Sequence, residues 1–214
     1  MLISNKHAID FDISEIIAEL EMPVKKFKSL KPLKSGNHID DFVLVKDNIN
    51  KHEFLSGAET SSSGLLRQFS GKPIVISFYS SQWREQGLNH LKHLNFLQNE
   101  IKALGANLLI ITPDYGNKYL EEIIWDNSLS LNFYFDPENF IAQQFSVYSD
   151  DDPAWNKYAG IEVNVPLLAT YVLDTGNQII FDHIDKDLQQ LVLPDELLYV
   201  LSTGSCYAQK RRSA

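Results

Sequence analysis

Apolar positions along this 214-residue chain fall into two regimes. Ile9, Ile13, Ile16, Ile17 and Leu20 recur at intervals of three and four, which predicts an amphipathic helix that Pro23 ends. From Ile39 onward, short apolar runs alternate with stretches of helical spacing, the pattern of a layered α/β fold with at least a partly parallel sheet. Strands are predicted near 42–45, 74–79, 107–112, 132–135, 168–173 and 178–183. Helices are predicted at Trp83 to Leu104, Lys118 to Trp125, Phe140 to Phe145 and Pro194 to Leu201, the last with proline in its first turn.

The runs PIVISFYS and NLLIITP are apolar on both alternation phases, as strands covered on both faces are, so they are placed at the centre of the sheet. Thr175-Gly176-Asn177 between two strand-like runs reads as a hairpin turn containing glycine, which makes the sheet mixed. The Ser-rich piece Glu59 to Gly64 and the stretch Ser149 to Trp155 read as surface loops, and the lysine-rich residues 24–35 as a solvated connector. The organisation is a leader over 1–35, one domain over 36–203 and a flexible tail over 204–214, with no internal repeat or heptad run.

Charge and cysteine content narrow the function classes. Nineteen basic against twenty-eight acidic residues leave a formal charge of −9, which disfavours nucleic acid and anionic membrane as partners. A single cysteine, Cys206, excludes an intrachain disulfide, a Cys-x-x-Cys redox pair and a cysteine zinc cluster. Acidic residues interrupt the amino-terminal apolar stretch, and no segment approaches about 18 consecutive apolar residues, so a soluble cytoplasmic protein is expected.

Most familiar motifs fail on spacing. Gly64 and Gly71-Lys72 are separated by six residues rather than four, and Pro73 stands where a phosphate loop needs Ser or Thr. His90 and His93 could share a metal, yet His90 falls beside Leu94, Leu97 and Ile101 on the apolar helix face, which favours a hydrogen-bonded core histidine. Asp150-Asp151-Asp152 lacks the glycine and trailing glutamate of a calcium loop and reads as a solvated acidic loop. Neither a metal nor a cofactor is expected.

The segment SFYSSQWREQGLNHL resembles the peroxiredoxin-like branch of the alkyl hydroperoxide reductase and thiol-specific antioxidant (AhpC/TSA) family, in which F-Y is followed by W-C-P-x-C at a helix start. Phe78, Tyr79 and Trp83 match it, as do Gly36, Asp41, Phe42 and Leu44 upstream. Downstream, Gly105-Ala106-Asn107-Leu108, Ile111-Thr112-Pro113, Asp136-Pro137 and Ala169-Thr170-Tyr171-Val172-Leu173-Asp174 are similar to family motifs in order and spacing, over about 36–202. The resemblance implies a thioredoxin-like three-layer fold, mixed sheet with helices on both faces, and pairing into a homodimer.

The departures fall on the chemistry. Peroxiredoxins attack hydroperoxides with a thiolate at a helix start, where positive potential keeps it ionised. Here Arg84 stands at the first motif cysteine and Gly87 at the second, Gln190 and Leu191 replace an arginine pair before the last helix, and Leu168 takes a proline's place with Pro166 two residues earlier. Cys206 lies beyond the helix predicted to end at Leu201, with no cation until Lys210. The leading expectation is therefore a thioredoxin-fold relative without catalytic residues, used for binding or assembly. One alternative is a residual thiol oxidoreductase in which Cys206, from the same or another subunit, reaches the old site. The other is a small anionic or thiol ligand held by Ser80, Ser81, Trp83 and Arg84 at the helix start, where the simpler readings are turn serines and an Arg84 that points to solvent or pairs with Glu85 or another acid.

Overall fold

In this computed structural model, residues 28–49, 63–65 and 72–212 are described, with side chains for all except 46, 63–65 and 204–212. The helix expected over 9–20 lies outside these residues. The strand β1 (Val43–Val45) pairs antiparallel with β2 (Ser63–Leu65) in a separate two-stranded sheet. The first expected strand is present, and one expectation is corrected: the end of the Ser-rich segment is a strand rather than wholly loop.

The main sheet has the order β5-β4-β3-β6-β7, formed by β3 (Ile74–Phe78), β4 (Asn107–Thr112), β5 (Phe133–Phe135), β6 (Ala169–Leu173) and β7 (Ile179–Ile184). β3, β4 and β5 run parallel, while β6 and β7 are antiparallel additions, so the sheet is mixed as its patterning predicts. All five residues of β3 and of β6 are buried, because both faces of the sheet are covered. Val75, Tyr79, Leu108, Ile110 and Val172 face one core with helices α1 (Arg84–Ala103), α2 (Lys118–Asp126) and α4 (Pro194–Arg212). Ile74, Ile76, Phe78, Ala169 and Tyr171 face the other, with the short α3 (Phe140–Gln144) and residues from the connector and β1. This is a thioredoxin-like α/β fold.

Local details refine or correct the sequence reading. The left-handed position of the β6–β7 turn is Asn177, φ 60°, whereas Gly176 has no positive φ and donates its N–H to Asp174 Oδ1 at 2.8 Å. α4 runs on to Arg212 rather than stopping at Leu201, so Cys206 and the backbone of 204–212 are helical. The described part of the connector is largely exposed, as expected, but it is also tied down. Leu30 N–H donates to Asp152 Oδ2 at 2.5 Å, Lys157 pairs with the same oxygen, and Asp182 takes the Lys34 ammonium and Ser35 N–H, both at 2.7 Å. Asp152, expected in a solvated loop, is 4% exposed because it serves this clamp.

Beneath α1, strand alternation places Ser77 and Thr170 on the helix-facing side, where they are register partners across β3 and β6. His90 Nε2 lies 2.7 Å from Ser77 Oγ and 3.4 Å from Thr170 Oγ1, and Ser77 Oγ is also 3.0 Å from Thr170 Oγ1. His90 is thus the hydrogen-bonded core histidine that helix geometry favours. Burial, then His183 and His93, push its pKa down to about 3. The folded state therefore holds His90 neutral, while an unfolded chain protonates it below about 6.5. Stability from this group is full above that pH and declines as pH falls toward 3, at a slope approaching about 1.4 kcal/mol per pH unit. Urea unfolding between neutral and mildly acidic pH is expected to show that decline, with a shallower slope in a His90→Asn variant.

Candidate functional site

The carboxyl end of β3 leads into the segment where the family's nucleophile would sit. Tyr79 and Ser80 leave the strand, Ser81–Trp83 form one 3-10 turn, and α1 starts at Arg84. Ser80 caps the turn through Gln82 N–H to Ser80 Oγ at 3.3 Å, so the simpler reading of a capping serine describes it. Ser81 N–H donates to Asp114 Oδ2 at 2.5 Å, Ser80 Oγ donates to Oδ1 at 3.4 Å, and Asn117 Nδ2 donates to Ser81 Oγ at 3.1 Å. A carboxylate from the loop after β4 therefore already lies against the positive end of this turn, where an anion is electrostatically favoured. Asp114 and Asn117 were not singled out by sequence; the only signal was their place after a parallel strand neighbouring β3.

Trp83 is buried rather than lining an open wall. Its ring meets Tyr158 edge-on at 5.1 Å between centroids, and Nε1 donates to Pro166 O at 2.9 Å. The bond links the helix start to the residues just before β6. Tyr79 is fully buried with a hydroxyl that has no hydrogen-bond partner among the described residues, and burial, then Asp114 and Tyr119, push its pKa up.

Gly87 is sterically committed. A Cβ added there would lie 2.9 Å from Trp83 Cβ and 2.9 Å from Tyr79 Cε2, closer than real Cβ atoms approach. Neither contact is the free end of a flexible chain, since both side chains are buried. The position that the sequence resemblance aligns with the second motif cysteine thus has no room for a side chain in this arrangement.

Arg84 is exposed and adopts φ 49°, ψ −124°, a backbone region that glycine tolerates and other residues enter with strain. Its Nη1 lies 3.8 Å from the Cβ that Gly160 lacks, so the guanidinium reaches over the loop before β6. The ion pairs among the described residues join Lys34 to Asp182 and Lys157 to Asp152, and Arg84 takes part in neither. Pairing with Glu85, one sequence expectation, is not observed.

The remaining positions do not converge into one polar centre. Leu168 is buried in the core, and its carbonyl accepts from Asp185 N–H at 3.0 Å. Gln190 and Leu191 are exposed in the extended segment before α4, where His183 Nε2 donates to Gln190 O at 2.8 Å and His93 Nε2 to Val192 O at 2.7 Å. His93 is therefore used as a strut, apart from the Ser77–Thr170 network that holds His90. Among the described residues no group of three or more His, Cys, Asp or Glu side chains could hold a metal ion. No helix there is long and apolar enough to cross a membrane.

Substitutions at two positions test the steric account. In an ordinary exposed helix, Gly→Ala stabilises by about 0.5–1 kcal/mol; at Gly87 the crowding reverses the sign, and Gly87→Ala is expected to destabilise by about 1–3 kcal/mol. Arg84→Gly relieves a strain of about 1–3 kcal/mol, offset by about 0.5–1 kcal/mol of added chain flexibility, so it is expected to raise the unfolding midpoint while Arg84→Ala does not. Denaturant titration of the three variants decides both signs.

Known proteins share this frame. The AhpC/TSA family profile matches residues 38–181. A Haemophilus influenzae protein assigned by name to the peroxiredoxins, bcp, is 27% identical over 132 residues, covering 62% of this chain and 77% of that protein. Among solved structures, Enterococcus faecalis AhpC superposes with a TM-score of 0.60 at 15% identity, over 84% of this chain and 96% of its own. The Mycobacterium tuberculosis peroxidoxin BcpB gives 0.56 at 18% identity, over 80% and 97%. Since the family profile spans the strands, α1 and the helix start described above, the chain belongs to the AhpC/TSA family.

Proposed function

We propose that this chain is an AhpC/TSA protein that has given up thiol peroxidase chemistry and uses its thioredoxin-like scaffold for binding or assembly. The observation that carries this reading is the pair of residues at the two motif positions: a strained, exposed Arg84 and a Gly87 whose neighbours leave no room for a Cβ. A peroxidatic cycle needs a thiolate that attacks the peroxide oxygen and a reductant that clears the resulting sulfenic acid. A guanidinium does the first of these no better than a hydrogen atom does the second. Loss of the nucleophile leaves the fold intact because the contacts that seat α1 run through Trp83, Gly87 and His90, none of which is the nucleophile position.

The anion-site reading keeps one support, the Arg84 guanidinium outside any ion pair among the described residues. The groups that would complete such a site are engaged elsewhere: Ser81 N–H by Asp114, and Trp83 by Tyr158 and Pro166. Cys206 is the only thiol in the chain, so peroxide turnover must depend on it if turnover occurs. In an assay coupled to thioredoxin or glutathione reduction, the chain is expected to consume hydrogen peroxide no faster than its Cys206→Ser variant. Consumption that the Cys206→Ser change abolishes would overturn the proposal in favour of a residual oxidoreductase.

A further inference from the structure

A groove of about 560 Å³ lies between the connector and the residues following α3, on a part of the surface that includes none of the helix-start residues. Its walls divide by charge. Lys28 and Lys31 stand on the connector side, and Asp150 and Asp151 on the other. None of the four belongs to the ion pairs among the described residues, Lys34 with Asp182 and Lys157 with Asp152. Two cations and two carboxylates thus line one cavity without closing on each other.

Both walls are held before any ligand arrives. Asp150 Oδ1 accepts from the Tyr148 hydroxyl at 2.9 Å and from Asn164 Nδ2 at 3.2 Å, which orients the carboxylate. Asn164 also donates to Ser149 O at 3.0 Å and accepts from Ala154 N–H at 3.0 Å, bracing the loop. Burial, then Asp150, push the Tyr148 pKa up, so the hydroxyl keeps its proton at neutral pH. The connector is joined directly to this loop at the edge of the groove, Lys28 N–H donating to Asp151 O at 3.1 Å and Leu30 N–H to the buried Asp152. Groups already held in place cost less ordering on binding.

A ligand of single sign would be drawn to one wall and repelled by the other, and the chain's net negative charge further disfavours a simple anion. A molecule with an ammonium at one end and a carboxylate at the other satisfies both. The volume falls in the range of small-molecule sites and exceeds what one small amino acid fills. Gln143 and Ser149 add amide and hydroxyl groups suited to peptide units.

We propose that this groove binds a short zwitterionic peptide, its ammonium directed to Asp150 and Asp151 and its carboxylate to Lys28 and Lys31. The test uses the full chain, triglycine as probe and triglycine blocked at both ends as control, followed by amide NMR at low ionic strength. Triglycine is expected to give saturable shifts centred on residues 28–31 and 146–151, and the blocked peptide none. Asp150→Asn and Lys31→Gln, both at exposed positions, are each expected to weaken binding about tenfold, the loss of one charge-assisted contact. The proposal is overturned if triglycine fails to saturate by about 10 mM, if the blocked peptide shifts the same amides equally, or if both variants bind as the parent does. Peroxide plays no part in this experiment, so its failure would leave the reading of the helix start untouched.

Discussion

The close approach of α1 to Tyr79 and Trp83 at Gly87 is the constraint on which the rest of the site depends. With no side chain at that position, the first turns of the helix settle onto two buried aromatic side chains. Trp83 can then reach Pro166 and Tyr158, drawing the loop before β6 against the helix start. One turn further on, His90 meets Ser77 and Thr170 in the centre of the sheet. Contacts that tight leave little slack, because interiors packed at crystal-like density do not absorb an extra carbon without moving several neighbours.

The electrostatics of the helix start follow a similar logic. Backbone N–H groups at the head of a helical turn attract negative charge, and in a thiol peroxidase a thiolate uses that potential. Here Asp114 supplies the negative charge from within the chain, and Ser80, Ser81 and Asn117 gather around it. The positive end is thus neutralised without a thiolate, which removes one electrostatic reason for a cysteine to be kept. Arg84 contributes a charge of the opposite sign from a strained backbone position, pointing across Gly160 rather than inward.

Much of the fold was legible because its signals are local and periodic. The two-sided apolar runs around Val75 and Leu109 could be nothing but covered strands, and the helix-face position of His90 foretold its burial. The resemblance located the helix start through Phe78, Tyr79 and Trp83. What escaped was set by partners distant in sequence. β2 exists because β1 offers it a register, not because Ser63-Gly64-Leu65 favours a strand. Asp152 looked like a solvated acid and is buried because a connector more than a hundred residues away needs a carboxylate. Asp114 carries no motif, and its role appears only when the loop after β4 is brought beside the end of β3.

If family chemistry has been given up as proposed, the structure offers a reason why family membership survives it. The matched frame is written in residues that build strands, seat α1 and close the loop before β6, and these are positions where substitution costs packing. A nucleophile makes few such contacts because it must be exposed to its substrate, and Arg84, which the proposed reading places there, is exposed. Gly87 goes further, since the tight seat it allows for α1 is incompatible with the side chain that a resolving cysteine would bring. On the proposed reading, reinstating a cysteine at Arg84 alone would not rebuild a two-thiol site, because the packing around Gly87 leaves no room for a second side chain.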